Sequence, residues 1–128
     1  MHRDLYIKLA RIACEEYPDI VITAELMEEK LRIHLVDGSF IDVWFSEALP
    51  GRWAYHWERR HINGTIYRHD NRPHESLKHL KTYPKHFHVG SDGRIEESYL
   101  SDEPEEALRQ FLAFVRNRLI CGGCSSPP

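Results

Sequence analysis

The sequence has few cysteines, no long apolar run and no net positive charge, and each lack excludes a class of protein. Three cysteines among 128 residues cannot all pair within one chain. No stretch approaches the ~20 apolar residues of a membrane-spanning helix, and the N-terminal residues lack the apolar core of a signal peptide. A formal charge of −3 argues against a surface that is basic overall. We therefore expect a cytoplasmic protein with no membrane partner.

Length and composition predict one ordinary globular domain. A chain of 128 residues can bury about two thirds of its unfolded surface in a single core. The sequence shows neither an internal repeat nor a linker. Cys121 and Cys124 form an isolated C-x-x-C pattern, but a zinc site needs two further ligands. We interpret residues 1–120 as the domain and residues 121–128 as a disordered tail.

The spacing of apolar residues predicts a helix at each end of the chain and strands between them. Helical spacing extends over residues 3–16, and a second apolar helical stripe follows Pro104, which suits the first turn of a helix. Alternation with period two predicts five consecutive strands within residues 20–70. Apolar residues line one face of each of the first two strands: Ile20, Ile22, Ala24 and Leu26, then Leu31, Ile33 and Leu35. A loop-rich passage and a short hairpin, residues 86–98, follow. The predicted fold class is α+β: a curved antiparallel β-meander of five or more strands with an N-terminal and a C-terminal helix.

The dipeptide Asn63-Gly64 favours a two-residue type I′ turn, and such a turn would fix the register of its hairpin. It predicts that Arg59 lies opposite Arg68 and that Trp57 lies opposite Asp70, with all four side chains on one face. Directly opposed like charges are unfavourable by a few tenths of a kcal/mol or more. The arginine pair is tolerable if it splays into solvent, or if an anion or the aspartate lies between the guanidinium groups. A turn one residue longer would place the two arginines on opposite faces.

Histidines and arginines are concentrated in residues 57–88, which hold six of the nine histidines. Histidine has an unperturbed pKa close to neutrality, so such a cluster suits proton transfer, metal binding or anion binding. Two short patterns stand out within it: R-H-D-N-R-P-H at residues 68–74 and Y-P-K-H-F-H at residues 83–88. We interpret them as the two halves of a functional site that folding brings together.

The two patterns resemble those of the TumE-type toxins of prokaryotic toxin–antitoxin modules, and the similarity spans roughly residues 31–119. In this chain the family's elements are carried by Trp57, by Arg68, Asp70, Asn71, Pro73 and His74, and by Tyr83, Pro84, His86 and His88. One departure is Lys85, where the family often has a further histidine. The resemblance implies a toxin that acts beside a small DNA-binding antitoxin.

The residue chemistry leaves two catalytic mechanisms open, of which the first is a metal-independent ribonuclease. Cleavage of RNA through its own 2′-OH needs a base, an acid and a cation for the developing negative charge. His74 with either His86 or His88 can serve as base and acid. Arg68 can hold a phosphate, and Asp70 can orient a histidine or an arginine. Four further residues are predicted to bind the RNA: Arg59, Asn71, Trp57 and Tyr83, with Trp57 and the nearby Trp53 and Tyr55 as stacking platforms.

The second mechanism is metal-dependent hydrolysis. His86 and His88 would face the same way on a strand, and either His74 or Asp70 can supply a third ligand to a divalent metal such as zinc. Among the site histidines, the metal set would then be His74, His86 and His88.

Non-catalytic alternatives remain beside these two mechanisms. The protein can be a module that binds nucleic acid or a partner without cleaving it. Arg68, Asp70 and Asn71 can instead form a buried salt-bridged brace, and an aromatic strand is more often part of a core than a nucleotide platform. A homodimer that buries the aromatic face is also left open.

Overall fold

The computed structural model describes residues 2–121, with side chains through residue 120, and has one helix at each end of a seven-stranded sheet. Helix α1 spans Arg3–Glu16 and helix α3 spans Pro104–Cys121, while α2, Arg60–Asn63, is a single turn. The strands are β1 Val21–Leu26, β2 Leu31–Leu35, β3 Phe40–Phe45, β4 Trp53–Arg59, β5 Thr65–Asp70, β6 His86–Gly90 and β7 Arg94–Glu97. They pair antiparallel in chain order from β1 to β7. The predicted α+β meander is therefore confirmed, with two more strands than the minimum.

The two long helices cover one face of the sheet and leave the other face open. Alternation along β2 turns Leu31, Ile33 and Leu35 into the core, as predicted. On the same side, Phe111 of α3 lies edge-on to Tyr55. Each such fully buried apolar side chain contributes about 1.5–3 kcal/mol, so this side dominates the stability of the fold. Among the described residues, no helix is long and apolar enough to cross a bilayer.

The two ends of the sheet are tied together by contacts between α1 and α3. The Tyr17 hydroxyl donates a hydrogen bond to the Arg109 carbonyl oxygen at 3.1 Å. The Arg109 guanidinium makes a bidentate pair with Glu16 at 2.9 and 2.8 Å. Pro104 opens α3 as predicted, and the Glu103 carboxylate before it accepts hydrogen bonds from the first free backbone N–H groups of the helix. Of the predicted tail, residues 121–128, only Cys121 lies within the described residues, as the last residue of α3.

The predicted pairing of Arg59 with Arg68 is wrong. The chain leaves β4 through the helical turn α2, which ends at Gly64 in the left-handed conformation at φ 79°. The connection therefore holds residues 60–64 instead of two residues. Arg59 pairs with Thr65, and Arg68 pairs with His56. The register differs from the predicted one by three residues, an odd number, so the predicted neighbours lie on opposite faces of the sheet.

The predicted inward face of the first strand is also wrong at one position. Ile22 is 65% exposed, whereas Ile20 and Val21 are buried. A β-bulge between Val21 and Thr23 interrupts the alternation. A bulge places two residues of one strand opposite one of the next, so the side chain within it is turned to the other face.

Candidate active site on the open face of the sheet

Three neighbouring strands bring the sequence-predicted site together on the open face. Arg68 and Asp70 alternate outward on β5, and His86 and His88 alternate outward on β6. The register pairs Arg68 with His88 and Asp70 with His86. On the other side of β5, His56 of β4 is paired with Arg68. Five polar side chains therefore meet at one end of three strands.

Asp70 is the centre of this cluster. The residue is 7% exposed. Its Oδ2 accepts a hydrogen bond from Arg68 Nε at 3.0 Å, and its Oδ1 accepts one from the Arg72 backbone N–H at 3.0 Å. His86 Nε2 lies 3.1 Å from Oδ1, and His88 Nε2 lies 3.8 Å from Oδ2. A buried carboxylate is costly unless it is paired and hydrogen-bonded, and here both oxygens are satisfied.

His86 is held rigidly and does not reach solvent. The residue is 1% exposed, its Nδ1 lies 3.0 Å from the Pro84 carbonyl oxygen, and its Nε2 faces Asp70. Both ring nitrogens therefore face hydrogen-bond acceptors. This geometry suits a residue that positions the carboxylate and its neighbours.

His74 and His88 are the two histidines of the cluster that solvent reaches. The His88 side chain is about one third exposed, and its ring centroid lies 4.9 Å from that of His86. Partial burial, followed by the neighbouring His86, lowers the pKa of His88 from its ordinary value. His74 is exposed at the start of the short helical turn Glu75–Leu77, and its ring centroid lies 5.9 Å from that of His86. The two sequence patterns, residues 68–74 and 83–88, thus meet around His86.

Arg68 connects the cluster to His56, which sequence reasoning did not select. Arg68 Nη1 lies 3.4 Å from His56 Nδ1, and His56 Nε2 lies 3.1 Å from Glu58 Oε1. Burial lowers the pKa of His56, in agreement with a neutral ring that accepts at Nδ1 and donates at Nε2. Only the strand register places this histidine in the cluster. The predicted turn gave the wrong register, so His56 could not be identified from the sequence.

Most of the predicted substrate-binding residues lie outside the cluster around Asp70, and two of these predictions need correction. Trp57 is fully buried and its Nε1 donates to Ser39 Oγ at 2.9 Å, so it cannot stack on a base. Trp53 and Tyr55 are buried on the same helix-covered side. Arg59 pairs with Asp37 at 2.9 Å, away from Arg68.

The other two predicted binding residues lie in the loop that contains the motifs. The Asn71 side chain accepts from the Trp53 backbone N–H at 2.8 Å and donates to the Gly51 carbonyl oxygen at 2.7 Å, so it anchors the loop to the start of β4. Tyr83 is half-buried three residues before His86, and its backbone N–H donates to the Leu80 carbonyl oxygen.

Asp70, His86 and His88 are also the set that best fits a metal ion among the described residues. One ligand atom from each lies within 4.8 Å of the others, whereas His74 does not belong to this set. One carboxylate and two imidazoles resemble the donors of a catalytic zinc site. However, the Arg68 guanidinium is bonded to the same carboxylate at 3.0 Å. A cation already at that oxygen disfavours a divalent ion there.

Comparisons with known proteins identify the family of the chain. The family model described as "Toxin TumE" matches residues 9–119, a range that contains every residue of the cluster. Searches of curated proteins and of solved structures found no match. TumE proteins are toxins of toxin–antitoxin systems, which implies an antitoxin as partner. With most of its length matched, the chain belongs to the TumE toxin family.

Proposed function

We propose that the protein is a metal-independent ribonuclease toxin that cleaves RNA at the open-face cluster. One observation supports this proposal: a single buried carboxylate contacts both a solvent-reachable cation and a solvent-reachable imidazole. Arg68 and His88 are paired across β5 and β6, and Asp70 contacts both from below. This arrangement supplies a phosphate-binding group beside a proton-transfer group.

The cleavage chemistry assigns a separate role to each solvent-reachable group. His88, whose lowered pKa keeps it neutral near pH 7, accepts the proton of the RNA 2′-OH. The 2′-oxygen bonds to phosphorus while the bond from phosphorus to the 5′-oxygen breaks. His74 gives its proton to that leaving oxygen. Arg68 stabilises the negative charge that develops on the phosphate oxygens.

The buried pair of Asp70 and His86 positions these groups without touching the RNA. His86 is fixed by the Pro84 carbonyl oxygen on one side and by the carboxylate on the other. The carboxylate in turn fixes the Arg68 guanidinium. A small DNA-binding antitoxin would then inhibit the toxin by covering the open face.

The experiment compares alanine variants of His74 and His88 with a matched histidine control. Purified protein is incubated with single-stranded RNA in EDTA, and the product ends are analysed by mass spectrometry. Wild type should leave a 2′,3′-cyclic phosphate and a 5′-OH. His74→Ala and His88→Ala should each lower the rate by about 10²–10⁴-fold, the usual contribution of general acid–base catalysis. His79→Ala, an exposed histidine of the same loop, should cleave at the wild-type rate.

The outcomes separate the alternatives. Products with 3′-OH ends, loss of activity in EDTA and stoichiometric zinc or manganese by elemental analysis would establish the metal-dependent mechanism, which the spacing of Asp70, His86 and His88 favours. Intact RNA with retained binding would establish a non-catalytic module. Variants that lose their cooperative thermal unfolding would indicate a structural brace in place of a catalytic site.

The pH dependence gives a further check on the base. Because the pKa of His88 is lowered from 6.5, the acid limb of the rate profile should lie below pH 6.5. An acid limb above that value would contradict the assignment of His88 as the base.

A further inference from the structure

A groove adjoins the catalytic cluster on the open face of the sheet. Its volume is about 440 Å³, within the usual range for small-molecule sites. Arg68 and His56 line the end that the groove shares with the cluster, and Phe40 and Trp44 of β3 line its other side. A strand of nucleic acid with a phosphate at Arg68 can therefore continue into this groove.

The groove carries a local excess of positive charge. Four cationic side chains line it against two carboxylates, in a chain whose formal charge is −3. The cationic residues are Lys30, Arg32, Arg60 and Arg68. These cations contact three carboxylates: Asp42 lies 2.8 Å from Arg32 and 3.1 Å from Lys30, Glu58 lies 2.6 Å from Arg60, and Asp70, at the edge of the groove, lies 3.0 Å from Arg68. One positive charge remains in excess, which suits an anionic backbone.

Trp44 is the aromatic side chain of the groove that remains available for stacking. The Arg32 guanidinium lies 3.9 Å from the centre of the Phe40 ring, so that face is occupied. Trp44 is half-buried and is paired across the strands with Ala54, whose methyl group is too small to cover an indole. The other tryptophans, Trp53 and Trp57, are buried on the helix-covered side.

We propose that this groove binds a nucleotide of single-stranded RNA next to the scissile phosphate, with its base stacked on Trp44 and its phosphates along the cationic rim. The choice of RNA as ligand rests on the proposed function, whereas the binding surface rests on the groove itself. A stacked base is recognised through its flat face, so the site accepts any base. The toxin would then be selective for unpaired regions over duplex RNA, because a paired base cannot leave its stack at low cost.

The test uses an oligonucleotide that the proposed reaction cannot cleave. A single-stranded 2′-O-methyl hexanucleotide of mixed sequence lacks the attacking 2′-OH, so binding is measured without turnover. Tryptophan fluorescence and the anisotropy of a labelled probe are followed during titration of the full chain. Trp44 is the one partly exposed tryptophan, so saturating oligonucleotide should quench emission in wild type and leave Trp44→Phe unchanged. Trp44→Ala should weaken binding by about tenfold or more, the loss expected for one base–aromatic stack.

Two variants serve as controls. Trp44→Phe keeps an aromatic face and should retain affinity within about threefold. Tyr99→Ala removes an aromatic side chain that is 74% exposed on the helix-covered side, and should leave affinity unchanged. Equal affinity for single-stranded and duplex probes would overturn the proposal, as would an affinity of Trp44→Ala equal to that of wild type, or no binding.

The two proposals fail separately. If the probe quenches the fluorescence of Trp44 but RNA is never cleaved, the groove is a nucleotide-binding site and the ribonuclease proposal is wrong. If RNA is cleaved with the expected ends but Trp44→Ala binds and cleaves as wild type does, the ribonuclease proposal is supported and the proposed binding role of the groove is wrong.

Discussion

Acidification should destabilise the fold through His69, a histidine that the proposed mechanism does not use. The residue is 9% exposed on the helix-covered face of β5. Its ring stacks flat on Phe87 with centroids 3.9 Å apart, and its Nδ1 lies 2.7 Å from Ser98 Oγ. Burial, assisted by the nearby Lys85, lowers its pKa from 6.5 to about 3. The folded protein therefore holds this ring neutral over a wide range of pH.

The magnitude follows from the difference between the folded and the unfolded pKa. Between pH 6.5 and about 3 the unfolded chain binds a proton at His69 that the folded chain does not, so stability falls as the pH falls through this window. One pKa unit corresponds to about 1.4 kcal/mol. Lowering the pH from 7 to 5 should therefore cost about 2 kcal/mol through this residue alone.

Urea denaturation of wild type and of His69→Asn at pH 7 and pH 5 isolates this contribution. Asparagine places an amide nitrogen near the position of Nδ1 but does not titrate. His56 and His88, whose pKa values are also lowered, remain in both proteins and their effects cancel in the comparison. Wild type should lose about 2 kcal/mol more than the variant. Equal losses would refute the assignment of a buried, neutral His69.

Three further predictions concern the anchoring of the site and the binding of nucleic acid. Asn71→Ala leaves the Trp53 N–H and the Gly51 carbonyl without their partner and should lower the free energy of unfolding by about 1–3 kcal/mol in urea denaturation; an unchanged midpoint would contradict the anchoring role. Ser39→Ala leaves the buried Trp57 Nε1–H unsatisfied and should cost about 1–3 kcal/mol in the same assay; an unchanged midpoint would contradict the role of this hydrogen bond. The logarithm of the oligonucleotide binding constant should fall with the logarithm of salt concentration, with a slope of about −0.7 for each phosphate that a cationic side chain of the groove contacts; a slope near zero would exclude binding through phosphates.

Much of the fold was predictable because apolar spacing follows directly from the period of each element. Residues 3–16 form the predicted helix, and the alternation in β2 and β3 survives unchanged because each has one face against the core. The hairpin after β4 was not predictable in the same way. Gly64 does adopt a positive φ, but as the residue that closes a helical turn. A glycine after asparagine suits either turn, and the local sequence does not distinguish them.

The site was predictable as far as it depends on alternation within β5 and β6. Asp70 with Arg68, and His86 with His88, share a face because they lie two residues apart on a strand. Which residues of β4 join them depends on the register across the hairpin. The predicted register was wrong by three residues, so it placed Trp57 on the same face as Asp70 and placed His56 on the opposite face. Trp44 lies on the same face of the sheet as His56. The groove that both residues line could not be predicted from a register that placed His56 on the opposite face.

Helix α3 follows all seven strands in the chain, and this order has a consequence for how the protein is made. Its Phe111 and Phe114 lie against the aromatic side chains of β4, β5 and β6, which support the candidate site from behind. The ribosome synthesises this helix after all seven strands, so the strands of the candidate site emerge with their apolar side exposed to water. A nascent or truncated chain that lacks the helix would then have no stable sheet on which to hold the cluster. Any activity of the cluster would thus begin only after α3 has been synthesised.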